Sequence, residues 1–279
     1  MRMGRALGLC TAALARQDST AAAAGNTLAL ITDFDSTLTM TDTLHQLISL
    51  APNPALLEQA EKFYIQETDA VHDMVCNGNV HGALQLLQKI ENQALDMVEA
   101  SNLLKGIKTS DIEEKAANLV RLRPRAFETL RSSGQCGIAV HICSINWSRK
   151  WIECAVGCAS AGVCSVVCND LVTDDTGVCT GELRRRVMGA RDKEEFVLQV
   201  SRTCSGGCIY VGDALPDVLA LQRADVGVVI GANPTLRAAL VALKMKMLPL
   251  EGQCLSRVCP GTVYLAESWE QIAHFLQGP

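Results

Sequence analysis

Two aspartates separated by a single residue, Asp33 and Asp35, are the strongest candidates for chemistry in this sequence. They follow a short apolar run at residues 28–31, which is typical of a buried strand in a parallel sheet. The carboxyl end of such a strand is where open α/β sheets bind ligands. Two carboxylates this close repel each other, so the pair predicts a divalent cation between them. The Asp-x-Asp spacing alone is a weak signal, because acidic pairs are common in solvated loops.

A second group of polar side chains follows another apolar run, at residues 137–143. Ser144 and Asn146 come directly after it, where a hydroxyl and the backbone N–H groups that open the next helix could hold phosphate oxygens. Lys193 lies in the first turn of a later predicted helix, where the helix macrodipole disfavours a cation. A helix N-cap and a surface lysine are the ordinary explanations for such residues.

Two more aspartates, Asp213 and Asp217, follow the apolar run at residues 208–212. Carboxylates are again placed just outside a predicted strand. Because the carboxyl ends of parallel strands lie at one edge of the sheet, we expect all these side chains to share one site.

The combination fits phosphoryl transfer, which needs a nucleophile, a metal, a cation on the phosphoryl oxygens and a proton donor. Asp33 would be the nucleophile, and Asp213 would help to hold the metal. Lys193 with Ser144 would contact the phosphoryl oxygens, and Asp35 would protonate the leaving group.

Strands and helices alternate along the sequence, which predicts an α/β fold with a doubly wound parallel sheet. A β-hairpin excursion is expected at residues 171–187, around the turn Asp-Asp-Thr-Gly. The five expected strands of the sheet are at residues 28–31, 137–143, 163–168, 208–212 and 226–230.

Residues 44–121 have a helical pattern and no strand signal, which is too long for a single crossover connection. We therefore predict an inserted all-helical cap at 44–121 and a core domain made of residues 27–43 and 122–279. The remaining residues, 1–26, are interpreted as a leader or a disordered tail.

Local signals predict where several helices begin. Ser110 and Glu113 form a capping-box pattern, Asp192 is expected to cap the helix that follows it, and Ser268 is expected to cap the last helix. A single helix is expected over residues 147–161.

The leader at residues 1–26 is rich in alanine, carries three arginines and has no acidic residue before Asp18. This composition resembles a mitochondrial or plastid transit peptide, and a short secretory signal or a tail without targeting value are the alternatives. The sequence thus favours a cytoplasmic or organellar location.

The bulk composition is that of an ordinary globular protein: of 279 residues 48% are hydrophobic and 20% charged, with a net charge of −5. This balance offers no basic field for nucleic acid and no cationic face for a membrane. No apolar run approaches the roughly 18 residues that a membrane span needs. A small molecule is therefore the expected partner, and the composition leaves the oligomeric state open.

The thirteen cysteines include three pairs with a Cys-x3-Cys spacing, at 154/158, 164/168 and 204/208. The five histidines do not cluster near them, and zinc sites more often use Cys-x2-Cys pairs. Most of the cysteines lie in apolar runs, so buried structural thiols and a reducing compartment are expected.

Four motifs in order resemble the haloacid dehalogenase-like (HAD) superfamily, in the branch with a helical cap inserted after the first motif. They are D-F-D-S-T at 33–37, I-C-S at 142–144, D-K at 192–193 and V-G-D-x-x-x-D at 211–217. The match covers residues 28–279. It implies a phosphatase that works through a phosphoaspartyl intermediate, with Asp33 attacking phosphorus and Asp35 serving as acid and then as base.

The same resemblance implies that Ser144, Asn146 and Lys193 bind the phosphoryl group. It also implies a Mg²⁺ cofactor held by the Asp33 carboxylate, the Asp35 backbone carbonyl group and Asp213. Asp217 would lie near the metal or hold Lys193.

Within the superfamily, five further stretches resemble the phosphatase domain that hydrolyses thiamine monophosphate in plants, where a thiaminase-II-like domain usually precedes it. They are S-N-L-L-K-G-I at 101–107, H-I-C-S-I-N-W at 141–147, T-G-E at 180–182, A-D-V-G-V-V-I at 224–230 and G-T-V-Y at 261–264. This likeness implies thiamine monophosphate as the substrate. Pyrimidine 5′-nucleotides, phosphoserine and phosphocholine-like esters are the alternatives, and so is a non-catalytic HAD-like binding domain.

Candidates for contacting the leaving group are Asp42, which could favour a cation, and the aromatic residues Phe63, Tyr64 and Trp147, which could stack on a ring. Ordinary packing of the aromatic side chains and a helix N-cap at Asp42 are the alternatives.

Overall fold

The computed structural model describes residues 27–259 and 261–277. The predicted leader at residues 1–26, with its transit-peptide interpretation, lies outside them.

A seven-stranded parallel sheet forms the centre of the molecule, with the strand order β3-β2-β1-β6-β7-β9-β8. The order places β1 between β2 and β6, so three strand ends that carry predicted site residues are neighbours. The predicted α/β class is therefore confirmed. The strands are β1 Ala29–Thr32, β2 Ala139–Cys143, β3 Val163–Val167, β6 Cys208–Gly212, β7 Val226–Ile230, β8 Lys246–Pro249 and β9 Thr262–Ala266.

The central strands form because their residues are apolar on both faces. Every residue of β1, β6 and β7 is buried, as expected for a parallel sheet covered by helices on both sides. Sequence analysis missed β8 and β9. The first is a half-exposed edge strand that ends in Pro249, and it lacks the continuous apolar run by which the others were recognised.

Helices cover both faces of the sheet. They are α1 Leu44–Ile48, α2 Leu57–Cys76, α3 Val80–Ala100, α4 Thr109–Leu119, α5 Ala126–Gln135, α6 Arg149–Val156, α7 Cys158–Ala161, α8 Ala190–Thr203, α9 Val218–Arg223, α10 Pro234–Ala242 and α11 Trp269–Gln277. Short 3₁₀ turns lie at Pro54–Leu56, Leu215–Asp217 and Leu255–Arg257.

Three expectations about helices were wrong. The helix predicted over 147–161 is two helices, because Gly157 adopts a left-handed conformation (φ 63°) that ends α6. The capping box at Ser110 does not form. Helix α4 starts one residue earlier, where the Thr109 hydroxyl donates to the Gly177 carbonyl group. Asp192 lies inside the first turn of α8, and its carboxylate accepts from the Met188 N–H instead.

Helices α1 to α4 lie between β1 and β2 in the chain. The α2–α3 pair contacts other parts of the chain, since α2 touches α10 and α3 touches the hairpin. Apolar residues of α3 and α4 belong to the same buried cluster as residues of β1 and β2. We retain the division into a cap at 44–121 and a core as a proposal.

The predicted hairpin is present, with β4 Asp170–Thr173 antiparallel to β5 Cys179–Arg184. One hydrogen bond and two ion pairs join this region to α3: Glu99 accepts from the Leu183 N–H at 2.7 Å, and Arg185 forms ion pairs with Glu99 and Asp96. These contacts hold one end of α3 in place.

Twelve cysteines are in the described part of the chain, all unpaired, and six of them are buried. Burial raises the pKa of several of these thiols, and it raises that of Cys143 to about 12. A raised pKa is typical of structural thiols and not of reactive ones. Among residues 27–259 and 261–277, no helix combines the length and the apolarity that a membrane crossing requires.

Candidate active site

Four of the predicted site residues lie at strand or helix ends around the carboxyl edge of β1. Asp33 follows β1, Ser144 follows β2, Asp213 follows β6, and Lys193 lies in the first turn of α8. All four line one cavity of about 450 Å³. The parallel sheet explains this convergence, because its order brings the carboxyl ends of β2, β1 and β6 side by side.

Lys193 is almost completely buried in the site, with 1% of its surface exposed. Its ammonium group lies 3.0 Å from Asp33 Oδ1 and 2.7 Å from Asp217 Oδ1. The Tyr210 hydroxyl donates to the same oxygen of Asp217 at 2.7 Å. Burial opposes the charge on Lys193, but Asp217 and Asp33 outweigh it and raise the pKa of Lys193. The ammonium group is therefore fixed beside the Asp33 carboxylate.

The carboxylates of Asp33, Asp213 and Asp217 bring oxygens within 4.8 Å of one another, the arrangement of a cation site. Burial is the main cause that raises the pKa of Asp33. The negative charges of Asp217 and Asp213 raise it further, whereas the positive charge of Lys193 lowers it. Burial and then Asp217 raise the pKa of Asp213 to about 7. The site thus holds more negative charge than Lys193 can neutralise, which favours a bound cation.

The three aspartates are not equivalent as ligands. Asp217 already accepts four donors: Lys193 and Tyr210 at Oδ1, and the N–H groups of Asp213 and Ala214 at Oδ2. Among the described residues, Asp213 accepts only from the Thr37 hydroxyl, at 2.8 Å.

Asp33 Oδ1 is buried and, within the described chain, accepts no hydrogen bond besides its ion pair with Lys193. Oxygen donors of this kind suit Mg²⁺. Asp33 and Asp213 therefore fit as metal ligands, whereas the saturated Asp217 fits the alternative role of holding Lys193.

Asp35 points into a separate network. Its Oδ1 accepts from the N–H (2.8 Å) and hydroxyl (2.7 Å) of Thr43, and its Oδ2 accepts from Asn146 Nδ2 at 2.8 Å. Burial, with a contribution from the nearby charge of Asp42, raises the pKa of Asp35 to about 6. A carboxyl group with such a pKa can both give and take a proton near neutral pH.

Asn146 was expected to bind phosphate, but its side chain is occupied. Its amide group donates to Asp35, and its Oδ1 accepts from the Ser148 N–H at 3.1 Å. Its backbone N–H donates to the Ser144 hydroxyl at 3.1 Å. Ser144 has no acceptor for its own hydroxyl hydrogen among the described residues, so it remains suited to a phosphate oxygen. The geometry favours Asn146 as a positioning residue for Asp35.

Sequence reasoning missed Thr43 and Trp151, which complete the network around Asp35. The Trp151 indole N–H donates to the Thr43 hydroxyl at 3.0 Å, and this in turn directs the hydroxyl hydrogen to Asp35. No sequence motif marks either residue, because the contact joins positions 108 residues apart.

Side chains from distant parts of the chain donate hydrogen bonds to the loop that carries Asp33 and Asp35. Ser36 adopts a left-handed conformation (φ 57°), and Arg123 donates to its carbonyl group from both Nε and Nη2. The Trp269 indole N–H donates to the Thr37 carbonyl group at 2.8 Å. These contacts keep the loop rigid.

The three predicted substrate-contacting residues, Asp42, Tyr64 and Trp147, all line the cavity, whereas Phe63 does not. Asp42 is exposed at its rim, and its carboxylate also accepts from the Leu44 N–H at the start of α1. Glu91 of α3 lines the cavity as well and was not predicted.

Solved structures with a similar fold include phosphoserine phosphatases. A substrate-bound phosphoserine phosphatase has a TM-score of 0.55 at 19% identity, with 77% of this chain and 90% of that chain covered. Phosphoserine phosphatase from T. onnurineus has a TM-score of 0.53 at 18% identity, over 93% and 98% of the two chains. A HAD family hydrolase from Salmonella enterica serovar Typhi has a TM-score of 0.50 at 16% identity, over 75% and 64%.

The sheet with helices on both sides is therefore the fold of these structures, among them HAD-type phosphatases. The predicted resemblance to the HAD-like fold is confirmed.

The sequence is also similar to the bifunctional TH2 protein, mitochondrial, of Arabidopsis thaliana, with 24% identity over 219 residues. That alignment covers 70% of this chain, and the chain spans about a third (35%) of the relative's length. No family model matches the chain.

Proposed function

We propose that this chain is a Mg²⁺-dependent phosphatase that hydrolyses a small phosphomonoester, thiamine monophosphate, through a phosphoaspartyl intermediate. The observation that carries the proposal is the position of Lys193, whose buried ammonium group lies 3.0 Å from the carboxylate of Asp33 at the floor of the cavity. A cation beside a buried carboxylate can hold the phosphoryl group in line with its nucleophile.

In this proposal Asp33 Oδ attacks phosphorus and forms an acyl phosphate while the ester oxygen leaves. Asp35 gives its proton to that oxygen, so the leaving group departs as an alcohol and not as an alkoxide. Asp35, now a carboxylate, removes a proton from water, and this water attacks the phosphorus to release inorganic phosphate and restore Asp33. Lys193 and Ser144 hold the phosphoryl oxygens throughout.

The Asp33 and Asp213 carboxylates, with the backbone carbonyl group of Asp35, would hold the metal. When bound, Mg²⁺ supplies positive charge that neutralises the phosphoryl oxygens. Asp217 is assigned to Lys193 because its carboxylate is already saturated with donors.

Support for thiamine monophosphate comes from the motif resemblance described above and from the sequence similarity to the TH2 protein. Phosphoserine is the second candidate, because phosphoserine phosphatases share the fold. Asp42 and residues of helices α1 to α3 line the part of the cavity away from Lys193. Its acidic and basic residues in the described chain are Asp42, His45, Glu61 and Glu91, with no lysine or arginine. The carboxylate of phosphoserine would meet three acids and one histidine there, which favours the thiamine ester.

The test is a phosphate-release assay with Mg²⁺ over thiamine monophosphate, phosphoserine, phosphocholine and a pyrimidine 5′-nucleotide, run with the wild-type chain and Asp33→Asn. We expect the highest kcat/KM for thiamine monophosphate and no release above background from the variant. Release from nucleotides with thiamine monophosphate untouched would overturn the substrate assignment. Equal release from wild type and variant would instead support a non-catalytic domain.

We also propose an organellar location, because the name of the plant relative places it in mitochondria. Microscopy of fluorescent fusions with and without residues 1–26 tests this. Loss of organellar signal on deletion is expected, and an unchanged distribution would contradict it.

A further inference from the structure

Two groups of polar residues from different elements line the cavity. Asp33 and Lys193 come from the loop after β1 and from α8, and Tyr64 and Glu91 come from α2 and α3. Most of the other lining residues from the inserted helices are apolar, among them Leu44, Ile48, Leu57, Ala60, Ile65 and Val98. A leaving group on a phosphate beside Lys193 therefore shares the cavity with apolar side chains and with the partly buried Glu91.

Glu91 has a hydrogen-bond donor but no cationic partner in the described part of the chain. The Tyr64 hydroxyl donates to Glu91 Oε1 at 2.8 Å. The second carboxylate oxygen has no partner in the described chain, and no lysine, arginine or histidine of residues 27–259 and 261–277 forms an ion pair with Glu91. A carboxylate in this setting is costly to bury without a positive partner.

Other acidic groups lie near Glu91. Burial is the main cause that raises the pKa of Glu91, to about 7. The hydrogen bond from Tyr64 opposes this shift, and the charge of Asp42 contributes to it. Glu61 also lines the cavity, and the imidazole of the exposed His45 lies 3.5 Å from its Oε1. A positively charged leaving group would favour the ionised form of Glu91, and an anionic one would disfavour it.

We propose that Glu91, oriented by Tyr64, is the specificity-determining residue that selects leaving groups carrying a positively charged ring or nitrogen at the end remote from the phosphate. This inference deepens the proposed function and rests on it. The second carboxylate oxygen of Glu91 contacts the positively charged group, and the Tyr64 ring lines the cavity beside it. A volume of about 450 Å³ accommodates a leaving group of one or two rings.

The sharpest test uses two phosphomonoesters of equal shape and different charge. The ester of N-(2-hydroxyethyl)pyridinium and 2-phenylethyl phosphate differ only by one ring atom, a positively charged nitrogen in place of carbon. The quantity measured is the ratio of kcat/KM for the cationic ester to that for the neutral ester. The chains compared are the wild type, Glu91→Gln, Tyr64→Phe and the control Glu67→Gln, which removes an equal charge at an exposed position of α2.

We expect the wild type to prefer the cationic ester. Glu91→Gln should lower the ratio by at least ~10-fold, because a hydrogen bond or contact to a charged group is lost while the shape of the side chain is kept. Tyr64→Phe should lower the ratio less, and Glu67→Gln should leave it unchanged. An unaltered ratio in Glu91→Gln, or an equal fall in Glu67→Gln, would overturn the inference.

A binding measurement separates this inference from the proposed activity. If the wild type hydrolyses neither ester, the phosphatase proposal fails for these compounds, and calorimetry with the two alcohols then decides the inference. Tighter binding of N-(2-hydroxyethyl)pyridinium than of 2-phenylethanol, lost in Glu91→Gln, supports it. Equal binding of the two alcohols to the wild type contradicts it.

Discussion

The amide group of Asn146 donates a hydrogen bond of 2.8 Å to Asp35 Oδ2, and so joins the end of β2 to the loop after β1. Asn146, which was expected to bind phosphate, thus supports the side chain of Asp35. Together with Thr43, it fixes the direction of the carboxyl group that is the proton donor in the proposed mechanism.

Replacing Asn146 with alanine is expected to lower kcat by roughly 10- to 100-fold with little change in KM, because the proton donor loses its orientation while the phosphate contacts remain. Steady-state kinetics with thiamine monophosphate measures both constants. Asn77→Ala, the same change at an exposed position after α2, is the control and should match the wild type. A rise in KM with kcat preserved would show instead that Asn146 binds phosphate.

The metal site can be examined without any substrate. Mg²⁺ at about 100 times its Kd should stabilise the wild type by about 2.7 kcal/mol, since it binds the folded state alone. Asp213→Asn should lose that gain, and in the absence of metal it should be at least as stable as the wild type, because excess negative charge is removed. Thermal unfolding with and without Mg²⁺ measures both effects. Asp69→Asn, on the exposed face of α2, should behave as the wild type. A full Mg²⁺ response in Asp213→Asn would contradict the assignment.

Tyr210→Phe removes one of the four donors to the buried Asp217 carboxylate. We expect the free energy of unfolding to fall by about 1–2 kcal/mol, the cost of an unmade buried hydrogen bond. Activity should stay within a few-fold of the wild type, because Lys193 keeps both carboxylate partners. Urea titration and kinetics measure the two quantities. Lost activity at unchanged stability would mean that Tyr210 takes part in the chemistry.

Glu91 should make stability depend on pH. Burial is the main cause that raises the pKa of Glu91, to about 7 in the folded chain, while an exposed glutamate titrates near 4.5. The folded state then binds the proton of Glu91 more tightly than the unfolded state does. The stability that Glu91 contributes is therefore fully present below about pH 4.5 and is lost as pH rises through about 7. Glu91→Gln cannot lose this stability. The difference in unfolding free energy between Glu91→Gln and the wild type should therefore shift in favour of the variant by on the order of 1–3 kcal/mol between pH 5 and pH 8.

Chemical denaturation of both proteins at several pH values, without substrate, measures this difference. Other buried acids titrate in both proteins, so their contributions cancel in the comparison. A difference that does not change with pH would show that Glu91 titrates as an exposed residue.

Much of the fold follows from local pattern. Apolar runs located β1, β2, β3, β6 and β7, and turn residues located the hairpin. The failures have local causes too. The edge strand β8 is too polar and too short to be recognised, and Gly157 divides a helix that its neighbours would continue.

The sequence by itself indicated the candidate side chains and their place at the ends of strands or the start of a helix, because strand burial and the chemistry of aspartate and lysine are properties of short segments. Their partners depend on residues far apart in the chain. Asp217 could have faced the metal or Lys193, and only its four donors decided between these roles. Asn146, Thr43 and Glu91 likewise acquired their roles from side chains brought near by the sheet and the inserted helices. Hydrogen bonds between distant residues leave no periodic trace in a sequence, and so the folded chain alone reveals them.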